Sequence, residues 1–409
     1  MRRWLVACAL WACVLTQIGC QTGPACGTFP LDADTRRCMV STIDTMVREH
    51  YPFAEQKGVD MTMFFKGLWS SLDEPELDDE SFVLSLAQSL AMLEDGHTRL
   101  ERFRLDEVGA PPVKLALREG QVVVRSAAPG AGLKPGEVIE TIDGKPALPV
   151  LRSALASAER GSAGEVLLLG ADAALAGEVG SDVRLETASG RVVQLTRQTV
   201  LHEPFIRRFG EIGYLRVKTF GFIDDLDRLD RLMNELMDTR GLIIDLRDNG
   251  GGYPSVSDGL FGRLVTEDGA LFALVDRQGR VHRHMQAHSR GETYTGQVVV
   301  LVNEGTFSAA NYFAHRIREE HRGVLLGGRT GGGAASPDRG LMLVDGLWFQ
   351  VSTYVVETLS GHNTEEGMAP TIRLDDVGAW YEVPPEQGAL SEDNDRMLRR
   401  ARRYLEGVQ

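Results

Sequence analysis

An α/β protein with a helical N-terminal region and a small strand-rich insert is the fold class that this 409-residue sequence predicts. Three observations predict it. Between Thr42 and Leu93, apolar residues recur at three- and four-residue steps, which is helical spacing. After Pro111 and Pro112 the texture changes to short apolar runs separated by glycine. After Pro204, near-continuous apolar strands alternate with amphipathic helices, the pattern of crossover-connected strands covered on both faces.

Each element follows from its own residues. The helical region carries Met46, Phe53, Met61, Phe64, Phe65, Leu68, Leu84, Leu86, Leu90 and Leu93, interrupted by an acidic turn from Asp73 to Glu80. The insert offers strands at Val113 to Leu117, Val122 to Val124, Val138 to Ile142, Val166 to Leu169 and Val192 to Leu195. In the third part, Gly213 to Val217 reads as a strand and Asp225 to Met237 as a helix with Leu226, Leu229, Met233, Leu236 and Met237 on one side. Leu242 to Ile244 and Val298 to Val302 are buried strands. A helix from Ser308 to Arg318, strands at Val324 to Leu326 and Leu347 to Val356, and a last arginine-rich helix from Asp393 to Leu405 complete the chain.

Composition narrows the function. Asp plus Glu total 58 against 44 for Lys plus Arg, a net charge of −14, which argues against a protein that tracks nucleic-acid backbones. Hydrophobic residues at 43% and charged residues at 25% are globular values. The N-terminus has Arg2 and Arg3, then an apolar run from Trp4 to Thr16, too short to span a bilayer and suited to a signal-peptide core. Gln17-Ile18-Gly19-Cys20 resembles the processing site of bacterial lipoproteins, with Gln17 where an aliphatic residue is usual, so the expectation is an exported protein lipid-anchored through Cys20. Cleavage there leaves Cys26 and Cys38 as a possible pair, and no CxxC or Cys/His metal spacing occurs.

Chemistry concentrates in three segments. Gly305-Thr306-Phe307-Ser308-Ala309-Ala310 lies between a strand and a helix, where a serine is held near helix N-terminal amides that stabilise an oxyanion; a plain helix cap is the alternative. Asp245-Leu246-Arg247-Asp248-Asn249-Gly250-Gly251-Gly252 follows a buried strand, and its glycines either present bare amides or simply turn the chain. Leu93-Glu94-Asp95-Gly96-His97-Thr98-Arg99-Leu100 carries a histidine after a helix-terminating glycine.

Together these segments resemble the S41 peptidases, the carboxy-terminal processing and tricorn-core group, and the likeness extends from about residue 40 to the final helix. Ala128 to Pro146 is similar to a PDZ domain, a fold that adds an extended C-terminal peptide as a strand. The resemblance implies a crotonase-like (ClpP/crotonase-type) α/β core. The N-terminal run sets a signal peptide over 1–19, and the resemblance implies a helical region over 38–105, a PDZ-like domain over 111–198, the protease core over 205–380 and a C-terminal helix over 390–407. It also implies Ser308 as nucleophile, with the amides of Gly251 and Ala309 around the oxyanion, the glycine being assigned to within one residue.

The general base separates the branches of the family. The processing branch uses a lysine about 25 residues after the serine, but this chain has no lysine after Lys218, and Arg329 cannot accept a proton. The tricorn-like branch uses a histidine in a motif like Asp95-Gly96-His97-Thr98, which makes His97 the base, although Gly96 stands where tricorn has a relay serine. The acid expected before Gly367-Met368-Ala369-Pro370 falls on Thr364 by strict counting and on Glu365 with a one-residue shift, and Glu366 is its neighbour. His362 is the rival base, and His282, His284 and His288 form a histidine cluster in a polar hairpin. The function expected is a serine endopeptidase of the cell envelope, in the periplasm or at the outer membrane. It needs no metal or organic cofactor and acts on protein or peptide substrates captured by their C-terminus. The other readings are a noncatalytic envelope protein binding peptides or apolar ligands on the same fold, or an esterase.

Overall fold

The computed structural model describes residues 24–74, 76–102, 108–157, 174–199, 203–221, 225–333, 335–336, 339–374 and 395–408. The expected signal peptide and Cys20 anchor lie outside the described residues, and no helix among those residues is long and apolar enough to cross a membrane. The chain divides into two compact units: Met1–Leu105 with Leu274–His282 and Ala335–Val355, and Asp106–Ala273 with Arg283–Ala334 and Val356–Gln409.

Three helices open the first unit, each started by an aspartate. Asp32 accepts the Thr35 amide ahead of α1 (Ala33–His50), Asp60 those of Thr62 and Met63 ahead of α2 (Met61–Ser70), and Asp78 that of Ser81 ahead of α3 (Asp79–Leu90). Such caps contribute about 1 kcal/mol each. The apolar stripes of the helices, including Ile43, Val47, Phe64, Leu68, Phe82 and Leu86, bury against Leu343, Phe349 and Val351. Those last residues come from a three-stranded antiparallel sheet ordered Arg99–Arg102, Leu347–Val351, Arg339–Val344. The strand expected from Leu347 to Val356 is broken at Ser352 and Thr353, beyond which Tyr354–Thr358 begins. A disulfide joins Cys26 to Cys38 of α1, and the Ala25 and Cys26 amides donate to Met342 and Leu343.

In the second unit the strand-rich insert forms a hairpin, Val113–Arg118 with Gln121–Ala127. A four-stranded sheet follows, ordered Lys145–Pro146, Ile139–Ile142, Asp182–Thr187, Val192–Thr196. Leu115, Val124, Ile139, Leu151, Val183 and Leu185 fill its core. Its helix α4 (Ala147–Ser157) was not expected from the glycine-spaced texture, and the strand expected at Val166 to Leu169 lies outside the described residues.

A six-stranded sheet follows in the order Phe205–Phe209, Ile212–Arg216, Gly241–Asp245, Gln297–Val302, Val324–Gly327, Ile372–Arg373. The first pair is antiparallel and the others parallel. Helix α5 (Asp225–Asn234) precedes the third strand and α6 (Pro254–Gly262) follows it. Helix α7 (Ala309–Glu319) links the fourth and fifth strands, and α8 (Arg396–Leu405) lays Met397, Leu398, Ala401 and Leu405 on Tyr214, Ile243, Val299 and Leu301. Asp395 caps α8 and pairs with fully buried Arg247 at 2.7 Å, fastening this helix to the carboxyl end of the sheet.

The crotonase-like (ClpP/crotonase-type) expectation is corrected here. The sheet is mixed, with an antiparallel edge, and between its fifth and sixth strands the chain contributes Ala335–Val355 to the other unit. Crossovers read from sequence settle local strand pairing and hand, but not which further strands and helices surround them. What forms is an α/β architecture of several mixed and antiparallel sheets with helical regions.

Candidate active site

Two adjacent parallel strands, Gly241–Asp245 and Gln297–Val302, end side by side and release the glycine loop and the serine loop. This is the carboxyl edge of the sheet, where open α/β sheets place their sites. Asn303 ties the loops together: its Oδ1 accepts the amides of Asp248 (2.9 Å) and Gly305 (3.0 Å), and its Nδ2 donates to Asp248 Oδ1 (2.8 Å). Thr306 Oγ1 donates to the Leu246 carbonyl at 2.9 Å, and the Phe307 amide to that of Asn249, also at 2.9 Å.

Ser308 sits directly before α7 with φ 54 and ψ −122, a conformation disfavoured for a residue with a side chain. Its side chain makes no capping bond to the helix, so the plain helix-cap alternative is not what forms. The strain is held by the backbone: the Ser308 amide donates to the Gly332 carbonyl at 3.0 Å, and the Tyr312 amide to the Ser308 carbonyl at 2.9 Å. Ala309 supplies the first backbone amide of the helix, where the macrodipole is positive.

Gly251 lies against this serine. With φ +98, a β-carbon built on it would stand 2.6 Å from Ser308 Cβ and 3.0 Å from the Ala309 nitrogen, so only glycine fits. Its own amide donates to Asn249 Oδ1 at 2.9 Å. To serve an oxyanion that N–H must leave Asn249, which makes Ala309 the readier donor.

Glu365 is buried, and its backbone reaches the same place from the late loop. The Gly333 amide donates to the Glu365 carbonyl at 3.1 Å, and a β-carbon on Gly332, the residue bonded to Ser308, would stand 2.0 Å from that carbonyl. Thr364, where strict counting put the acid, is fully buried and structural: its amide and hydroxyl donate to the Val356 carbonyl, and its own carbonyl accepts Asn311 Nδ2. Glu366 is exposed, with its carbonyl held by Arg329.

His97 belongs to the first unit, in a tight turn after α3. Asp95 accepts the His97 amide (3.0 Å) and the Thr98 hydroxyl (2.6 Å), and Gln350 Nε2 donates to the His97 carbonyl (3.0 Å). Tyr51 and Lys57 donate to the carbonyls of Leu93 and Glu94, and Arg99 Nη1 to that of Gly96. Burial first, and then the Arg99 guanidinium, lower the His97 pKa to about 4 against the opposing pull of Asp95. The imidazole is therefore neutral near pH 7 and has a lone pair for a proton.

The remaining histidines divide by environment. His362 lies in an exposed turn with Nδ1 on Ser360 Oγ at 2.8 Å. His315, on α7, is buried with both ring nitrogens unpartnered, and burial lowers its pKa to about 3. His282 stacks on Tyr354 and His288 pairs with Asp268. No cluster among the described residues could hold a metal ion.

Asp248 lies in the glycine-loop segment with no role that its own sequence context assigns. Lys114 Nζ (2.7 Å) and Arg125 Nη2 (2.9 Å), both from the insert hairpin, converge on its Oδ2, and all three side chains are buried. Burial alone raises an aspartate pKa, but Arg125, Lys114 and Lys218 outweigh it and hold Asp248 well below the usual carboxylate range. Lys114 is 134 residues away in sequence, and no local pattern announces such a contact.

Residues 211–374 match the model of peptidase family S41. The chain is 27% identical over 338 residues to the chloroplastic C-terminal processing peptidase of Tetradesmus obliquus, covering 71% of this chain and 67% of that protein. It is 27% identical over 241 residues to the tail-specific protease of Haemophilus influenzae, covering 53% and 34%. Such matches span from one third to two thirds of the relatives' own length. Among solved structures, a photosystem II D1 C-terminal processing protease superposes with a TM-score of 0.57 at 23% identity, over 83% of this chain and 93% of that one. The superposition identifies the fold as that of the S41 processing proteases in place of the crotonase-like one. By family match, residues 211–374 are a peptidase family S41 region, and the whole chain is similar in sequence and fold to the S41 processing proteases.

Proposed function

We propose that this chain is a serine endopeptidase that hydrolyses peptide bonds in protein or peptide substrates through an acyl-enzyme. The observation that carries the reading is Ser308, held in a strained turn at the head of α7 with Gly251 packed on its β-carbon. Strain of that kind concentrates at functional sites, and a helix N-terminus favours a developing oxyanion. His97 takes the Ser308 proton, the hydroxyl oxygen attacks the carbonyl carbon, and the Ala309 amide, with that of Gly251, holds the oxyanion. His97 then protonates the leaving amine, and water repeats the sequence on the ester. Glu365 orients the hydrogen-bond network. The base assignment rests on the Asp95-Gly96-His97-Thr98 motif and on an imidazole kept neutral.

The PDZ-like insert would capture substrates by their C-terminus, raising the local concentration of the cleavable segment. Export, with lipid attachment at Cys20 in the cell envelope, is the reading that the N-terminal sequence supports.

The test is mass labelling of the folded protein with a fluorophosphonate. One adduct on Ser308 is expected, lost in Ser308→Ala and His97→Ala, retained in His362→Ala and Glu366→Gln, and slowed in Glu365→Gln. No adduct on folded protein refutes autonomous catalysis; loss in His362→Ala with retention in His97→Ala transfers the base to His362.

A further inference from the structure

Asp248 is one residue from Asn249, whose side chain holds the Gly251 amide and whose carbonyl holds the Phe307 amide. It sits at φ 54, a left-handed conformation that aspartate tolerates better than most residues but does not prefer. Its carboxylate meets three chain segments at once: Asn303 of the serine loop on Oδ1, and Lys114 and Arg125 of the insert hairpin on Oδ2. Those two cations come from the facing strands Val113–Arg118 and Gln121–Ala127, and with Asp248 they form a buried ionic cluster. A buried carboxylate is tolerated only where partners of this kind converge on it.

We infer that Lys114 and Arg125 are positioning residues for the proposed hydrolysis: through Asp248 they hold the glycine loop in the form that packs on Ser308, so the insert completes the oxyanion site as well as carrying a peptide surface. The inference rests on reading Ser308 as the nucleophile. Its consequence differs from that of tethering. A tether alters only substrates that touch the insert, whereas a positioning role alters attack on any electrophile, including one too small to reach it.

A small fluorophosphonate is therefore the probe. Its second-order rate of Ser308 labelling is compared among wild type, Lys114→Met, Arg125→Met, Lys114→Arg, Arg125→Lys and Arg191→Gln. Arg191 pairs with Glu137 on the exposed side of the insert and is the control. Two cations share one carboxylate, so each single variant leaves Asp248 a partner, and folding is checked by thermal unfolding. The methionine variants are expected to label about tenfold to a hundredfold more slowly, less than or equal to the roughly hundredfold lower end of what is seen when an oxyanion donor is lost outright. The conservative variants should recover most of the rate and Arg191→Gln all of it. Amide hydrogen exchange across residues 246–253 gives a readout independent of activity and should accelerate only in the methionine variants. Unchanged labelling with unchanged exchange in folded methionine variants overturns the inference. If wild type takes no label, the nucleophile reading fails and the role in hydrolysis falls with it; accelerated loop exchange then supports only the holding of the glycine loop by the two cations, and unchanged exchange overturns that as well.

Discussion

Lowering the pH should leave this enzyme active where an ordinary histidine-based hydrolase has stopped. His97 is buried, and Arg99, bonded to the adjacent Gly96 carbonyl, disfavours the imidazolium, so its pKa falls from 6.5 to about 4. At about pH 5.5 an unperturbed histidine is only about 9% free base, whereas one with pKa near 4 is about 97% free base. The acid limb of the Ser308 labelling rate, followed from about pH 3.5 to about pH 8, should therefore have its midpoint near 4. Arg99→Gln removes the cation that most disfavours the imidazolium and should move that midpoint upward. Folding is linked with a defined sign. The unfolded chain binds the His97 proton near pH 6.5 and the native chain near 4, so stability is full above 6.5 and declines as pH falls to 4. The full loss is about 3 kcal/mol, so circular dichroism must establish that the protein is folded at each pH. A midpoint near 6.5 in folded wild type, or a downward move in Arg99→Gln, refutes the electrostatic reasoning.

Gly251→Ala places a methyl group 2.6 Å from Ser308 Cβ at a φ of +98. Labelling should fall by at least tenfold, and thermal unfolding should register about 1–3 kcal/mol of strain; a fully active variant would mean that the loop sits elsewhere in solution. Cys26→Ser opens a link spanning a sequence separation of 12, which ties the N-terminal segment to α1. A stability loss of up to about 3 kcal/mol in thermal unfolding, matched by reducing the wild type and with labelling of Ser308 retained, is the expected result.

Periodicity and local chemistry along the chain were enough for the α/β class and for the loops that bear Ser308, the glycine run and His97, and the resemblance of those loops to the S41 peptidases pointed to the family. These are local properties: an apolar strand that runs into a polar, glycine-rich segment is written in consecutive residues, as in Leu242 to Gly252 and Val298 to Ser308. Where neighbours in space are distant in sequence, the chain was silent or misleading. Crossovers gave no sign that Ala335–Val355 would join the N-terminal helices, and the crotonase-like expectation failed there. Helix α4 was missed in the glycine-spaced insert. Counting left the expected acid between Thr364 and Glu365, and the packing of Gly332 and Gly333 on the Glu365 carbonyl is a tertiary contact that no count along the chain shows. Lys114, Arg125 and Asp248 are each unremarkable surface types in sequence, and only burial, which makes an unpaired charge costly, turns them into one cluster. Local backbone and side-chain preferences act over a few residues and can be read there. Burial and long-range charge pairing belong to the folded chain, and they decided how the loops are held.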